Sequence, residues 1–98
     1  MKHLLRVEDT FQVTGRGLVV VPEIPLPERF VNFTGTVKVV PPGTEPYEVQ
    51  ADFFLSHFSP GGFKLLITFP NLSKDLLPVG SEIFASESVH GRLRGADA

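Results

Sequence analysis

Glu8-Asp9, the three histidines His3, His57 and His90, and the neighbours Ser56-His57 are the residues of this chain whose types could do acid–base, metal or nucleophilic chemistry. Glu8-Asp9 is its only pair of adjacent carboxylates. It lies in a stretch that reads as extended, where successive side chains point to opposite faces, so the two acids do not share one proton-transfer site. The expectation is a solvated Glu8 and an Asp9 that bonds to nearby backbone. The histidines fall in the N-terminal stretch, a strand and the C-terminal tail, without metal-ligand spacing. His57, opposite Lys64 in the pairing expected below, reads as a surface group. Ser56 and His57 face opposite ways, and no G-x-S-x-G elbow or serine–histidine–acid set is present. There is no cysteine, hence no disulfide, no thiolate zinc site and no cysteine nucleophile. The chain reads as non-enzymatic, with no catalytic, cofactor-binding or metal-binding residue.

Two arginine motifs remain. Gly15-Arg16-Gly17 and Gly91-Arg92-Leu93-Arg94-Gly95 set arginine beside exposed amides, a combination that suits phosphate. The first is better explained as a turn. The second is two arginines in a tail, too few to hold nucleic acid without help. The net charge of -2 argues the same way, since non-specific nucleic-acid binding comes from neutralised phosphates.

The elements that would position these residues are short strands. In VEDTFQVTGRGLVVVPEI, residues 7 to 24, a two-residue loop at Gly15-Arg16 with Gly15 at positive φ opposes Val13 to Leu18, Phe11 to Val20 and Val7 to Ile24. That register turns Val7, Phe11, Val13, Leu18, Val20 and Ile24 inward and leaves Val19 and Val21 outside. Pro22, lacking an N–H, predicts a bend or strand end. A second hairpin joins YEVQADFFLSHF (47 to 58) to FKLLITFP (63 to 70) through Ser59-Pro60-Gly61-Gly62, opposing Phe58 to Phe63, Ser56 to Leu65, Phe54 to Ile67 and Leu55 to Leu66. Between the hairpins lie the loop Pro25-Leu26-Pro27-Glu28-Arg29 and a strand over 30 to 40 that Gly35 is expected to bulge. One helical turn over 71 to 77 is stopped by Pro78, and a last strand spans 81 to 86.

Nine Pro, nine Gly and nine Phe with one Met and no Trp is a β-protein composition. Ninety-eight residues make one domain that buries roughly 65% of its unfolded surface. The fold expected is all-β: a small closed antiparallel β-barrel of six or seven strands, over residues 1 to 86, since closure removes exposed edges. Residues 87 to 98 are expected to be a flexible tail. With no signal peptide and nothing approaching the ~20 apolar residues of a membrane span, a cytoplasmic protein is the expectation.

These elements in this order resemble the β-barrel second domain of elongation factor Tu and related translation GTPases. VEDTFQVTGRGLVV resembles that family's opening strand, Gly-Arg-Gly turn and second strand. LLITFPNLSKDLLPVGSEIFAS resembles its closing strand, helical turn, glycine and final strand. The order holds over residues 5 to 86. The departures are the segment Pro22-Glu23-Ile24-Pro25-Leu26-Pro27 and the lack of any GxxxxGK[ST] loop, so neither nucleotide binding nor GTP hydrolysis is expected. In the family this barrel helps to hold the aminoacyl end of transfer RNA or contacts the ribosome. The resemblance thus implies a stand-alone, translation-factor-like binding module that contacts RNA or a ribonucleoprotein. The alternative is a protein-interaction or assembly domain built on the same scaffold.

Both faces of the second hairpin carry large apolar side chains. Whichever face turns inward, either Phe53, Leu55 and Leu66 or Phe54, Phe58, Phe63, Leu65 and Ile67 remain on the other. Either the loop 25 to 29 or the segment 71 to 77 covers them, or they form an apolar patch of several hundred Å², the size of an interaction surface. The binding residues expected are Arg16, Phe53, Leu55 and Leu66. The partner expected is a protein or a ribonucleoprotein, with a homodimer as one form. RNA stays open without support from charge, and no membrane, nucleotide or cofactor is expected.

Overall fold

Apolar alternation broken by glycine and proline folds here as strands. The computed structural model describes residues 1–24, 30–58 and 62–93. Among them, seven strands form one antiparallel sheet: β1 (Lys2–Arg6), β2 (Asp9–Val13), β3 (Gly17–Ile24), β4 (Phe33–Val40), β5 (Tyr47–Phe58), β6 (Gly62–Phe69) and β7 (Glu82–Ala85). Their order is β1-β7-β4-β5-β6-β3-β2. β1 was not among the strands expected from sequence.

The sheet curls into a half-barrel, which corrects the expectation of a closed one. β1 is bonded to β7 and β2 to β3, and no ladder joins these two end strands to each other. Only Val7-Glu8 connects them. Val7 N–H donates to Ser81 O at 2.8 Å, Glu8 N–H to Val21 O at 2.9 Å and Gly80 N–H to Val7 O at 2.9 Å. The chain thus leaves one neighbour and joins another within two residues.

The concave side holds the core. Val7, Leu18, Val20, Val37, Val39, Phe53, Leu65, Ile67, Phe69 and Ile83 are buried there. A short helix α1 (Glu87–Leu93) adds Val89 and Leu93 to the same core, where a flexible tail was expected. Ser86 starts the helix, its Oγ accepting from Val89 N–H at 3.2 Å. Gly35 is the helix's seat: a Cβ there would come within 2.7 Å of Val89 Cγ2. Gly35 makes no bulge, for β4 pairs with β5 in unbroken register from Phe33↔Phe53 to Val39↔Tyr47. It is a glycine of close approach. Residues 94–98, the loop 25–29 and the loop residues 59–61 lie outside the described residues.

Both hairpins differ from expectation by one residue of register. β2 meets β3 as Asp9↔Val21, Phe11↔Val19 and Val13↔Gly17, and β5 meets β6 as Phe53↔Ile67, Phe54↔Leu66 and Leu55↔Leu65. A one-residue slip sends every side chain of the slipped strand to the other face. On β3 the expected inward set, Leu18, Val20 and Ile24, holds. On β2 it reverses, so that Thr10 is buried while Phe11 and Val13 are exposed. The slip comes from the turn, which takes three residues. Arg16 N–H donates to Val13 O at 3.0 Å across Thr14-Gly15. Gly15 has the positive φ expected of it, 83°. Gly17, at φ 95°, is glycine for a second reason: a Cβ would lie 2.6 Å from Pro70 Cα and 2.7 Å from Phe69 O.

At Pro22, where a bend or strand end was expected, β3 runs on to Ile24 with a shift of register. The β3–β6 register shifts between Val20 and Ile24, the place where a missing N–H interrupts the ladder. The turn before Pro78 is also present, as a 3-10 turn over Lys74–Leu76. Tyr47 Oη donates to Leu76 O, and burial holds its phenol above the ordinary value.

Candidate functional site

The convex face of the sheet is divided in two. On its β4 side, Thr34, Thr36 and Lys38 oppose Asp52, Gln50 and Glu48 of β5, a row of polar cross-strand pairs. Thr34 Oγ1 donates to Asp52 Oδ1 at 2.7 Å. On its β2 side the face is apolar. Val19 of β3, Leu66 of β6 and Phe54 of β5 form a second hydrophobic cluster, separate from the main core, and each is at most 8% exposed. They are the floor of a groove of about 320 Å³, walled by Phe11, Val13 and Val21 with Ser56 at its edge. Phe11 and Val13 are 50% and 39% exposed, so its rim meets solvent as apolar surface.

The hairpin tip hangs over one end of this groove. Thr68 Oγ1 holds the tip from below, donating to the carbonyl oxygens of Arg16 and Leu18 at 2.9 and 3.1 Å with its one shared proton. Arg16 extends from the tip over Phe54, its Cζ 4.1 Å from the ring centroid. Gly17 lets the tip lie against Phe69-Pro70, so the Gly-Arg-Gly positions the arginine. Beyond it is a shallower depression of about 450 Å³ lined by Arg16, Thr14, Gln12 and Asp52.

Of the four residues expected to bind, two come together here. Leu66 is in the floor and Arg16 covers its neighbour Phe54. Phe53 and Leu55 belong to the other face. Phe53 is fully buried, stacked on Phe33 with centroids 4.7 Å apart, and Leu55 shares its direction by alternation while its N–H donates to Asn32 Oδ1 at 3.0 Å. Of the two covers weighed, the segment 71 to 77 lies elsewhere, since Leu72 and Leu77 pack on the concave core, and the loop 25 to 29 is outside the described residues. Sequence reading assigned Phe11 and Val13 to the interior and did not single out Asp52. The signal for Phe11 and Val13 was Gly17, a residue that a two-residue loop left without a task.

The polar residues first weighed for chemistry stand apart from this groove. Glu8 is exposed, and Asp9 Oδ1 accepts from Thr10 N–H at 2.8 Å. His3 and Arg6 both reach Glu82, and the His57 side chain lies outside the described residues. Arg92 sits over Phe33, 4.6 Å from its centroid, where it seats α1. Among the described residues no group of three or more acids, histidines and cysteines could hold a metal ion. No described helix is long and apolar enough to cross a membrane. The arrangement offers apolar contact, one cation and one carboxylate. Set against family models, curated proteins and solved structures, the chain matches none of them.

Proposed function

We propose that this chain is a non-catalytic binding module whose partner is a protein, free or within a ribonucleoprotein, met through the groove on the convex face of β2, β3, β5 and β6. The observation that carries this reading is the pair Phe11 and Val13, exposed at the rim of a groove whose floor is itself apolar. An edge strand that turns large apolar side chains to solvent is a pairing hazard unless something covers it. The net charge of -2, with Arg16 the one arginine at the groove among the described residues, supports a protein over bare RNA, which demands several neutralised phosphates. The resemblance of the Gly-Arg-Gly hairpin and of the element order to translation-GTPase barrels supports a ribonucleoprotein as the setting.

The test is recovery of partners from lysate, with and without RNase, by the wild-type chain and by Phe11→Ser/Val13→Ser. Both positions are exposed, so the variant is expected to stay folded with a stability change within about 1 kcal/mol. A protein recovered by the wild type, insensitive to RNase and lost with the variant, supports the reading. Recovery that RNase abolishes and the variant leaves intact overturns it.

A further inference from the structure

The helix α1 is built to hold on weakly. It has seven residues, and helices shorter than ~12 residues are marginal on their own. Near its middle stands Gly91, of the residue type that is the poorest helix former after proline. Neither space nor conformation calls for a glycine there, since a Cβ would meet nothing within 4 Å and φ is not positive. Gly35 beneath the helix is the opposite case, where a Cβ would lie 2.7 Å from Val89 Cγ2. The hydrogen bonds of α1 to its surroundings reach only Ser86, from Val89 N–H to Oγ at 3.2 Å and from His90 N–H to the carbonyl oxygen at 2.8 Å. Among the described residues no hydrogen bond or ion pair ties α1 to a strand. Val89 and Leu93 in the core and Arg92 over the Phe33 ring hold it in place. The sheet below has its ladders without it, for β4 pairs with β5 on one side and β7 on the other.

We infer that α1 is a strap, which leaves the core as a unit while the sheet stays folded and so opens the concave side at Gly35 and Phe33. The open form is a minor state of roughly 0.1 to 10%. Gly91 keeps it within reach, and Gly35 makes the closed form possible. The groove on the convex face takes no part, so the strap does not depend on that groove binding a protein.

Amide hydrogen exchange followed by NMR tests it. The amides of residues 90 to 93 should show protection factors of about 10 to 1,000, at least about tenfold below those of Val37 and Val39 in β4. Small amounts of urea should hardly change their exchange, while that of Val37 and Val39 accelerates, because the strap exposes little surface when it opens. Gly91→Ala should raise the protection of residues 90 to 93 about fivefold. Gly35→Ala pushes on Val89 and should lower it by about tenfold or more, with Val37 and Val39 still protected. If Gly35→Ala does not fold, Val89→Ser loosens the same contact from the helix side and takes its place. Residues 90 to 93 protected as strongly as Val39, and released by urea together with it, overturn the inference. So does a Gly91→Ala chain with unchanged exchange, or a folded Gly35→Ala chain that keeps the protection of α1.

Discussion

On the convex face, Lys38 and Leu66 both point away from the main core, yet their surroundings have little in common. Lys38 stands opposite Glu48 among Thr34, Thr36 and Gln50, side chains that water solvates and that pair across β4 and β5. Leu66 stands opposite Phe54 and is 7% exposed, packed with Phe54 and Val19. The polar half is the usual outer surface of a sheet with one solvated side. The apolar half is a small core of its own, with one wall built of exposed side chains. Outward direction on a strand therefore does not imply solvent, and the apolar half is where a contact with another molecule is cheapest to make.

The largest test of that contrast is Leu66→Glu. A carboxylate placed among Val19 and Phe54 loses the leucine's burial and gains no partner, so the fold should lose about 3 kcal/mol or more in urea unfolding. A loss within about 0.5 kcal/mol would mean that the apolar half is as solvated as the polar one. Lys38→Glu is the matching change across the divide. It sets two like charges opposite each other on a solvated face and should cost only ~0.5 kcal/mol by the same measurement. The smallest effect is one of pH, at the beginning of β5. The folded state holds the Tyr47 phenol above its ordinary value through burial, so folding favours the neutral form. That contribution is complete below the unfolded phenol's value near 10 and is lost as pH rises through the folded one. Tyr47→Phe should give up about 0.5 to 1.5 kcal/mol at neutral pH, for the bond to Leu76, and show a shallower loss of stability above pH 10. An unchanged alkaline slope would show that Tyr47 does not carry it.

Much of the architecture was legible because local rules decided it. Gly15 takes the positive φ that a tight turn asks of it, Pro22 breaks the β3–β6 ladder, and Pro78 follows the single 3-10 turn. What failed was register in both hairpins, in the first through a turn of three residues where two were expected and in the second through faces that alternation could not rank. Alternation shows that two faces exist, but where both carry large apolar residues it does not say which turns inward. Phe11 and Val13 looked like core because they are apolar, while the residue that goes inward beside them is Thr10. The helix over 87–93 was missed although Val89 and Leu93 are four residues apart and Ser86 can cap them, since two apolar positions do not make a period. The groove itself depends on four strands meeting, and no window of sequence holds Phe11, Val19, Phe54 and Leu66 together.

The pairing of β1 with β7 has a consequence for how the chain reaches this form. Lys2 lies beside Ala85 and Arg6 beside Glu82, so the first strand made has the last strand made as its neighbour. Emerging from a ribosome, residues 2–6 have no ladder to join until residues 82–85 are out, and α1, which seals the core over Gly35, comes later still. Pairings of such long sequence separation fold slowly, because loop-closure entropy must be met before the contact forms. Meanwhile β2 and β3 can close their three-residue turn at once and would show Phe11 and Val13 to solvent from the start. A nascent chain is thus sticky on this edge before it is whole.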